Sequence, residues 1–177
     1  MWLEILNNIR SRKKAIKFPK SFQTLPDEAI ETVTPVKKMN KIFGKSLKIR
    51  QVDAGSCNAC EWECTAFTNP IYDVQRFGVD FVASPRHADV VLATGPVSRQ
   101  MELALKKTHI AMPEPKLVIA CGDCAINGGI FRGSYATRNG ISDVIPVNGR
   151  IHGCPPTPAT IIKGLLKLME SFKSEEC

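Results

Sequence analysis

The sequence predicts an α/β fold, a parallel β-sheet with helices packed on both faces, preceded by a basic N-terminal arm. Three observations predict it. From residue 46 onward, short apolar runs alternate with stretches of helical period, which is the pattern of βαβ units. Two of the runs, Asp89 to Gly95 and Lys116 to Cys121, are apolar at nearly every internal position, as strands buried on both faces must be. The chain has 177 residues and no internal repeat, enough for one domain with a sizeable core.

The elements follow in order. Residues 1–20 place Trp2, Leu3, Ile5, Leu6 and Ile9 on an apolar stripe, followed by Arg10, Arg12, Lys13, Lys14 and Lys17. This reads as a short amphipathic basic helix that lies on a partner or membrane surface, against the plainer reading of a frayed, solvated terminus. Residues 21–45, with Pro26 and Pro35, read as an extended arm. The division is therefore 1–45, basic helix and arm, and 46–177, a single α/β domain. Within the domain, a strand over Leu47 to Val52 runs into Asp53-Ala54-Gly55. Glu61 to Phe67 is a short helix stopped near Pro70. Ile71 to Phe77 is a second one, closed by Gly78. Val79 to Ala83 and Asp89 to Gly95 are strands, and Ser98 caps a helix running to about Lys107. Lys116 to Cys121 is the clearest buried strand. Residues 130–142 are irregular, and Val144 to Val147 is a short edge strand broken by Pro146. A last helix starts near Pro158 and runs to about Phe172, with Ile161, Leu165, Leu168 and Phe172 on one face.

Charge and composition exclude several classes. The net charge of +7 is concentrated in residues 1–50, which carry +8, while residues 51–177 carry −1. A basic arm suits an anionic membrane surface or an acidic partner. Nucleic acid is not expected, because the folded part has no basic face interleaved with aromatics. No run of about 18 apolar residues occurs, so no transmembrane helix is expected, and no secretory signal is recognised. Neither GxxxxGK[ST] nor GxGxxG occurs, which leaves nucleotide binding unsupported.

Seven cysteines in a chain kept in a reducing compartment read as metal-binding before they read as disulfides. Gly55-Ser56-Cys57-Asn58-Ala59-Cys60 is a C-x2-C turn. Cys124 follows after 63 residues, and Cys154-Pro155 after 29 more. Cys57, Cys60 and Cys124 each follow a predicted strand end, where ligand sites of open parallel sheets form. Four thiolates around a cubane, one preceding proline, match an iron–sulfur cluster. Two rivals stand beside it. Cys121-Gly122-Asp123-Cys124 is formally a second C-x2-C pair, so structural zinc is a reading, although zinc ribbons separate their pairs by about 15–20 residues and 60 lie between Cys60 and Cys121. A C-x2-C redox disulfide is the other. Cys121, at the end of an apolar strand, and Cys64, on the helix, read as packing residues, and Cys177 as a terminal one.

The motifs Gly55 to Glu63, Arg76-Phe77-Gly78, Ser84 to Asp89, Thr94-Gly95-Pro96-Val97, Gly122-Asp123-Cys124 and Gly153-Cys154-Pro155-Pro156 resemble the small subunit of energy-converting, membrane-bound [NiFe] hydrogenases of the formate hydrogenlyase kind. The cluster-bearing 20 kDa subunit of respiratory complex I is in the same family. The resemblance spans about residues 47–170. It implies a flavodoxin-like fold and one [4Fe–4S] cluster held by Cys57, Cys60, Cys124 and Cys154. The implied function is electron relay between a ferredoxin-like subunit and the nickel–iron site of a large subunit. Integral membrane subunits would hold the chain at the cytoplasmic side of the membrane, and the chain would carry no complete active site of its own. Complex I subunits have adjacent cysteines at the first site, whereas this chain has C-x2-C, which favours the hydrogenase branch. The alternative is a complex I-like assembly without nickel that reduces quinone or another acceptor. Glu61 and Glu63, which flank the turn, are candidates for proton movement or tuning. His87 and His152 lie in or near the motifs, with a structural role expected.

Overall fold

A computed structural model of the chain describes residues 30–32 and 46–171. Six strands form one sheet: β1 (Ile30–Thr32), β2 (Leu47–Asp53), β3 (Val79–Phe81), β4 (Val90–Thr94), β5 (Leu117–Cys121) and β6 (Gly149–Ile151). The α-helices are α1 (Ala59–Ala66), α2 (Glu102–Ala111), α3 (Asp123–Asn127) and α4 (Pro158–Ser171). The strand order is β1-β6-β5-β4-β2-β3. All neighbours pair parallel except β1, which adds an antiparallel edge against β6. Counted along the five parallel strands alone, the order is the flavodoxin one, and the chain reverses its winding between β2 and β4. The expected parallel sheet is therefore present, and the arm contributes one short strand to it. The expected N-terminal amphipathic helix and Phe172 lie outside the described residues.

Helices cover both faces, as the alternation predicts. On one face Leu47 and Ile49 of β2 pack with Phe67, just past α1, and with Ile161, Leu165 and Leu168 of α4. The three-and-four spacing of those α4 residues makes one apolar stripe. On the other face Val91, Ala93, Val118 and Ala120 meet Leu105 of α2, Ala125 of α3 and Ile141. Each fully buried Leu, Ile or Phe contributes roughly 1.5–3 kcal/mol relative to exposure. This two-sided core makes the sheet a rigid platform.

Three elements differ from expectation. The helix expected from a Ser98 cap to about Lys107 starts later, at Glu102, with Met101 at its N-cap, and runs to Ala111; the Ser98 hydroxyl accepts from the Met101 N–H at 3.3 Å in the turn before it. Ile71 to Phe77 is not an α-helix. The Asn69 side chain accepts from the Ile71 and Tyr72 N–H groups at 2.9 and 3.1 Å, and Asp73 is left-handed at φ 43°. Only a single 3₁₀ turn, Val74–Phe77, remains before Gly78. Nor do Val144 to Val147 form a strand. The N–H groups of Val144 and Ile145 turn back onto the Ile141 carbonyl at 2.9 and 3.0 Å, and Pro146 has no N–H to offer a ladder. The sheet takes Gly149–Ile151 instead.

The register of the sheet aligns the strand ends. Asp53 pairs with Thr94, Thr94 with Cys121, and Cys121 with Ile151. The last residues of four adjacent parallel strands thus form a single row across the sheet, and the loop after each strand leaves from it.

Candidate metal centre

The loop after β2 carries the first cysteine pair. The Asp53 carboxylate accepts from the N–H groups of Gly55 and Ser56, both at 2.8 Å, and so turns the chain. The Ser56 hydroxyl accepts from the Asn58 N–H at 3.0 Å and donates to the Glu61 carboxylate at 2.6 Å. Asn58 then takes a left-handed φ of 72°, which Asn tolerates better than most residues, and α1 begins. Cys57 is exposed at the tip of the loop, and Cys60 is half-buried in the first turn of the helix. The other oxygen of Glu61 is bonded by the hydroxyl of Thr94, the last residue of β4. Among the described residues Thr94 is the one polar side chain in the fully buried set.

The loop after β5 carries Cys124 in the short helix α3. Gly122 precedes it with φ 92°. A Cβ at Gly122 would stand 2.7 Å from the Cys60 sulfur, and one at Gly129 would stand 2.9 Å from the Cys124 sulfur. Both sulfurs therefore rest against bare backbone, a cradle that any side chain there would fill. The loop after β6 brings Cys154. Gly122 N–H donates to the Ile151 carbonyl at 2.8 Å, and Asp123 N–H to the Gly153 carbonyl at 2.9 Å. The Asp123 carboxylate accepts from the Gly153 N–H at 3.0 Å and lies 3.5 Å from His152 Nδ1.

The electrostatics tie the four thiols together. Burial, the Glu61 carboxylate and the thiols of Cys64, Cys57 and Cys124 push the Cys60 thiol up to about 12. Burial and the neighbouring thiols of Cys154 and Cys57 raise Cys124, while the Ile130 backbone N–H opposes the shift. Cys60 and Cys124, each raised in part by neighbouring thiols, favour the protonated form unless a cation compensates them, which is what a thiolate-ligated metal centre supplies. With the glycine cradle, this donor set fits an iron–sulfur cluster. Among the described residues no group of three or more His, Cys, Asp or Glu side chains is already arranged around a metal ion.

The remaining candidates separate. Cys121 and Cys64 are fully buried in the core beneath the site. The Cys121 thiol is raised by a hydrogen bond with Cys64 and by burial, which is the behaviour of packing residues. His87 is exposed in the turn before β4, at the opposite end of the strands from the cysteines. His152 lies beside Asp123. Sequence reasoning passed over Asp53, Ser56 and Thr94 as anchors. The available signals were a hydroxyl closing an otherwise apolar strand and an acid just before Gly-Ser.

Several large apolar side chains on the elements that carry the cysteines are exposed. Trp62 is 68% exposed, Ile130 84% and Tyr135 88%, with Phe131 beside them in the loop that follows Cys124. Asp123, Gly129, Ile130 and Cys154 line an open cavity of about 340 Å³. No described helix is long and apolar enough to cross a membrane.

The family model described as "NADH ubiquinone oxidoreductase, 20 Kd subunit" matches residues 57–168. The chain is 41% identical over 137 residues to the probable membrane-bound hydrogenase subunit mbhJ of Pyrococcus furiosus, covering 77% of this chain and 82% of that one. It is 40% identical over 138 residues to formate hydrogenlyase subunit 7 of Escherichia coli, covering 78% of this chain but only 53% of that longer protein. Among solved structures, a chain of the membrane-bound sulfane sulfur reductase, an archaeal respiratory membrane complex, superposes with a TM-score of 0.67 at 36% identity, covering 77% of this chain and 76% of that one.

Proposed function

The chain belongs to the family of the 20 kDa subunit of NADH-ubiquinone oxidoreductase, and from that premise we propose that it is the electron-transfer small subunit of a multi-subunit, membrane-bound [NiFe] hydrogenase, with Cys57, Cys60, Cys124 and Cys154 holding one [4Fe–4S] cluster. The observation that carries this reading is the row of strand ends at Asp53, Thr94, Cys121 and Ile151, from which all three cysteine loops leave. When bound, the cluster supplies a one-electron relay. The chain's own groups hold and tune it. Gly122 and Gly129 leave room for the Cys60 and Cys124 sulfurs, and the Ile130 N–H faces the Cys124 sulfur. N–H groups aimed at cluster sulfurs raise its potential.

Exposed apolar side chains, Trp62 on the helix that carries Cys60 and Ile130, Phe131 and Tyr135 in the loop after Cys124, suit burial by a large partner subunit. A ferredoxin-like subunit would exchange electrons with it, and integral membrane subunits would hold it at the cytoplasmic face as a peripheral component. The C-x2-C spacing, with Asn58 and Ala59 between the ligands, supports the hydrogenase branch over the adjacent cysteines of complex I. The likeness to the sulfane sulfur reductase complex favours a second reading, relay to another acceptor without nickel.

Metal analysis of the complex, purified anaerobically from membranes, decides between them. At least about four iron and four acid-labile sulfides per copy of this chain are expected, with a ferredoxin-like subunit adding its own, and nickel in the co-purifying partner. Iron and sulfide without nickel would overturn the hydrogenase reading in favour of the second. Zinc without labile sulfide would overturn both.

A further inference from the structure

We propose that Glu61 is a positioning residue of the C-x2-C loop: it pins the loop to the end of β4 through two hydroxyls and fixes a negative charge beside Cys60 that lowers the reduction potential of the centre. The inference rests on the cluster reading above. An acidic residue in the first turn of a helix is ordinary by itself, since it complements the helix dipole. Glu61 differs in what its two oxygens do. One accepts from Ser56, the residue before Cys57, at 2.6 Å, and the other is bonded by Thr94, buried at the end of β4. The carboxylate thus bridges two loops that also meet at Ala54 N–H to Thr94 O, 2.9 Å, Ser98 N–H to Ala54 O, 2.7 Å, and the Thr94 hydroxyl to Val52 O, 3.3 Å.

Proton carriage is a poor account of the same residue. One oxygen accepts from the Ser56 hydroxyl, and the other meets the Thr94 hydroxyl, which also has the Val52 carbonyl within 3.3 Å and is sealed from solvent. A carboxylate so held is fixed in place beside the Cys57–Cys60 turn. Its sequence neighbour is Cys60, whose sulfur lies against the Gly122 backbone, and a nearby negative charge disfavours adding an electron.

Two substitutions separate the pin from the charge. Glu61→Gln keeps the reach and loses the charge. Glu61→Asp keeps the charge and, one methylene shorter, cannot reach both hydroxyls. In the purified complex, Glu61→Gln should retain iron and labile sulfide, while an EPR-monitored redox titration should find the reduction equilibrium shifted about tenfold toward the reduced state, or 59 mV for one electron. Glu61→Asp should leave the potential near that of the unmodified complex and lose iron to a chelator several-fold faster. An unshifted potential in Glu61→Gln overturns the charge role, as does loss of the cluster in that variant. Unchanged chelator resistance in Glu61→Asp overturns the pin. A cluster-free unmodified complex would instead sink the reading on which this inference rests, so the two failures are distinguishable.

Discussion

The two halves of the site reach similar ends by different means. The Cys57–Cys60 half is a contiguous loop locked by side chains: Asp53 and Ser56 close the turn, and Glu61 ties it to Thr94. The Cys124–Cys154 half joins segments 30 residues apart, and main chain does most of the locking, through Gly122 to Ile151 and Asp123 to Gly153. Its one carboxylate, Asp123, accepts from the Gly153 N–H. The first half is thus encoded locally, and the second is a consequence of parallel pairing between β5 and β6. Point substitutions of polar side chains should damage the first half more readily. The second should yield chiefly to loss of a sulfur or to loss of the space beside it.

The largest effect expected is in the second half, from Cys124→Ser. That variant should abolish the EPR signal of the reduced cluster in the purified complex. Cys121→Ser should keep it, because Cys121 is fully buried in the core and hydrogen-bonded with Cys64. A buried hydroxyl in its place costs about 1–3 kcal/mol, visible as a lower melting temperature. The reverse pattern of EPR signals would mean that the second half uses the other cysteine of the formal C-x2-C pair.

Next come the glycines where the halves touch. Gly122→Ala would place a Cβ 2.7 Å from the Cys60 sulfur and should strip most of the iron. Gly133→Ala, in the loop that borders the second half, meets nothing within 4 Å despite its φ of +77°. It should cost only the left-handed penalty of about 1–2 kcal/mol and leave iron content unchanged. Equal iron loss in both variants would show that loop strain, not contact between the halves, controls the site.

The same contrast between local and tertiary encoding decides what was legible in the sequence. Cys57 and Cys60 were legible because spacing alone brings neighbours two residues apart onto one centre. Cys124 and Cys154 were legible only through strand ends and resemblance, and the pairing strand β6 was missed altogether. Gly149-Arg150-Ile151 has no alternation to mark it, and Val144 to Val147 offered a more apolar decoy beside it. Residues 149–151 join the sheet because the β5 edge demands a partner, which is tertiary information. Ser56, Glu61 and Thr94 were present in the motifs, and Asp53 just before the first of them, but their mutual bonds depend on the Asp53–Thr94 register. What the sequence conveyed well was the platform: buried strands β4 and β5, the α4 stripe and helices on both faces.

The smallest expected effect tests how the second half is bordered. The loop after Cys124 is pinned to α2 by Glu102, which takes Lys106 at 2.7 Å and Arg138 at 2.8 and 2.9 Å. Arg138 also donates its backbone N–H to the Val97 carbonyl at 2.8 Å. The Lys106 hydrogen bond, then that of Arg138, holds the Glu102 carboxyl below the usual range. A carboxyl lowered in the folded state contributes its stability above the unfolded pKa of about 4.3 and loses it as pH falls through that value toward the folded one. Protection of the Arg138 amide against hydrogen exchange should therefore exceed that of a Glu102→Gln variant at pH 7, and the two should converge as pH falls below about 4. Intrinsic exchange rates cancel when the two proteins are compared at each pH. The gap should be modest, because exposed ion pairs are well screened, and should shrink with added salt. The amides of Ser56 and Asn58 serve as the contrast. They are locked by Asp53 and Ser56 rather than by the Glu102 network, so their protection should be the same in both proteins at every pH. A Glu102→Gln change that loosened both sets of amides alike would mean that the halves share one cooperative unit rather than two separately held ones.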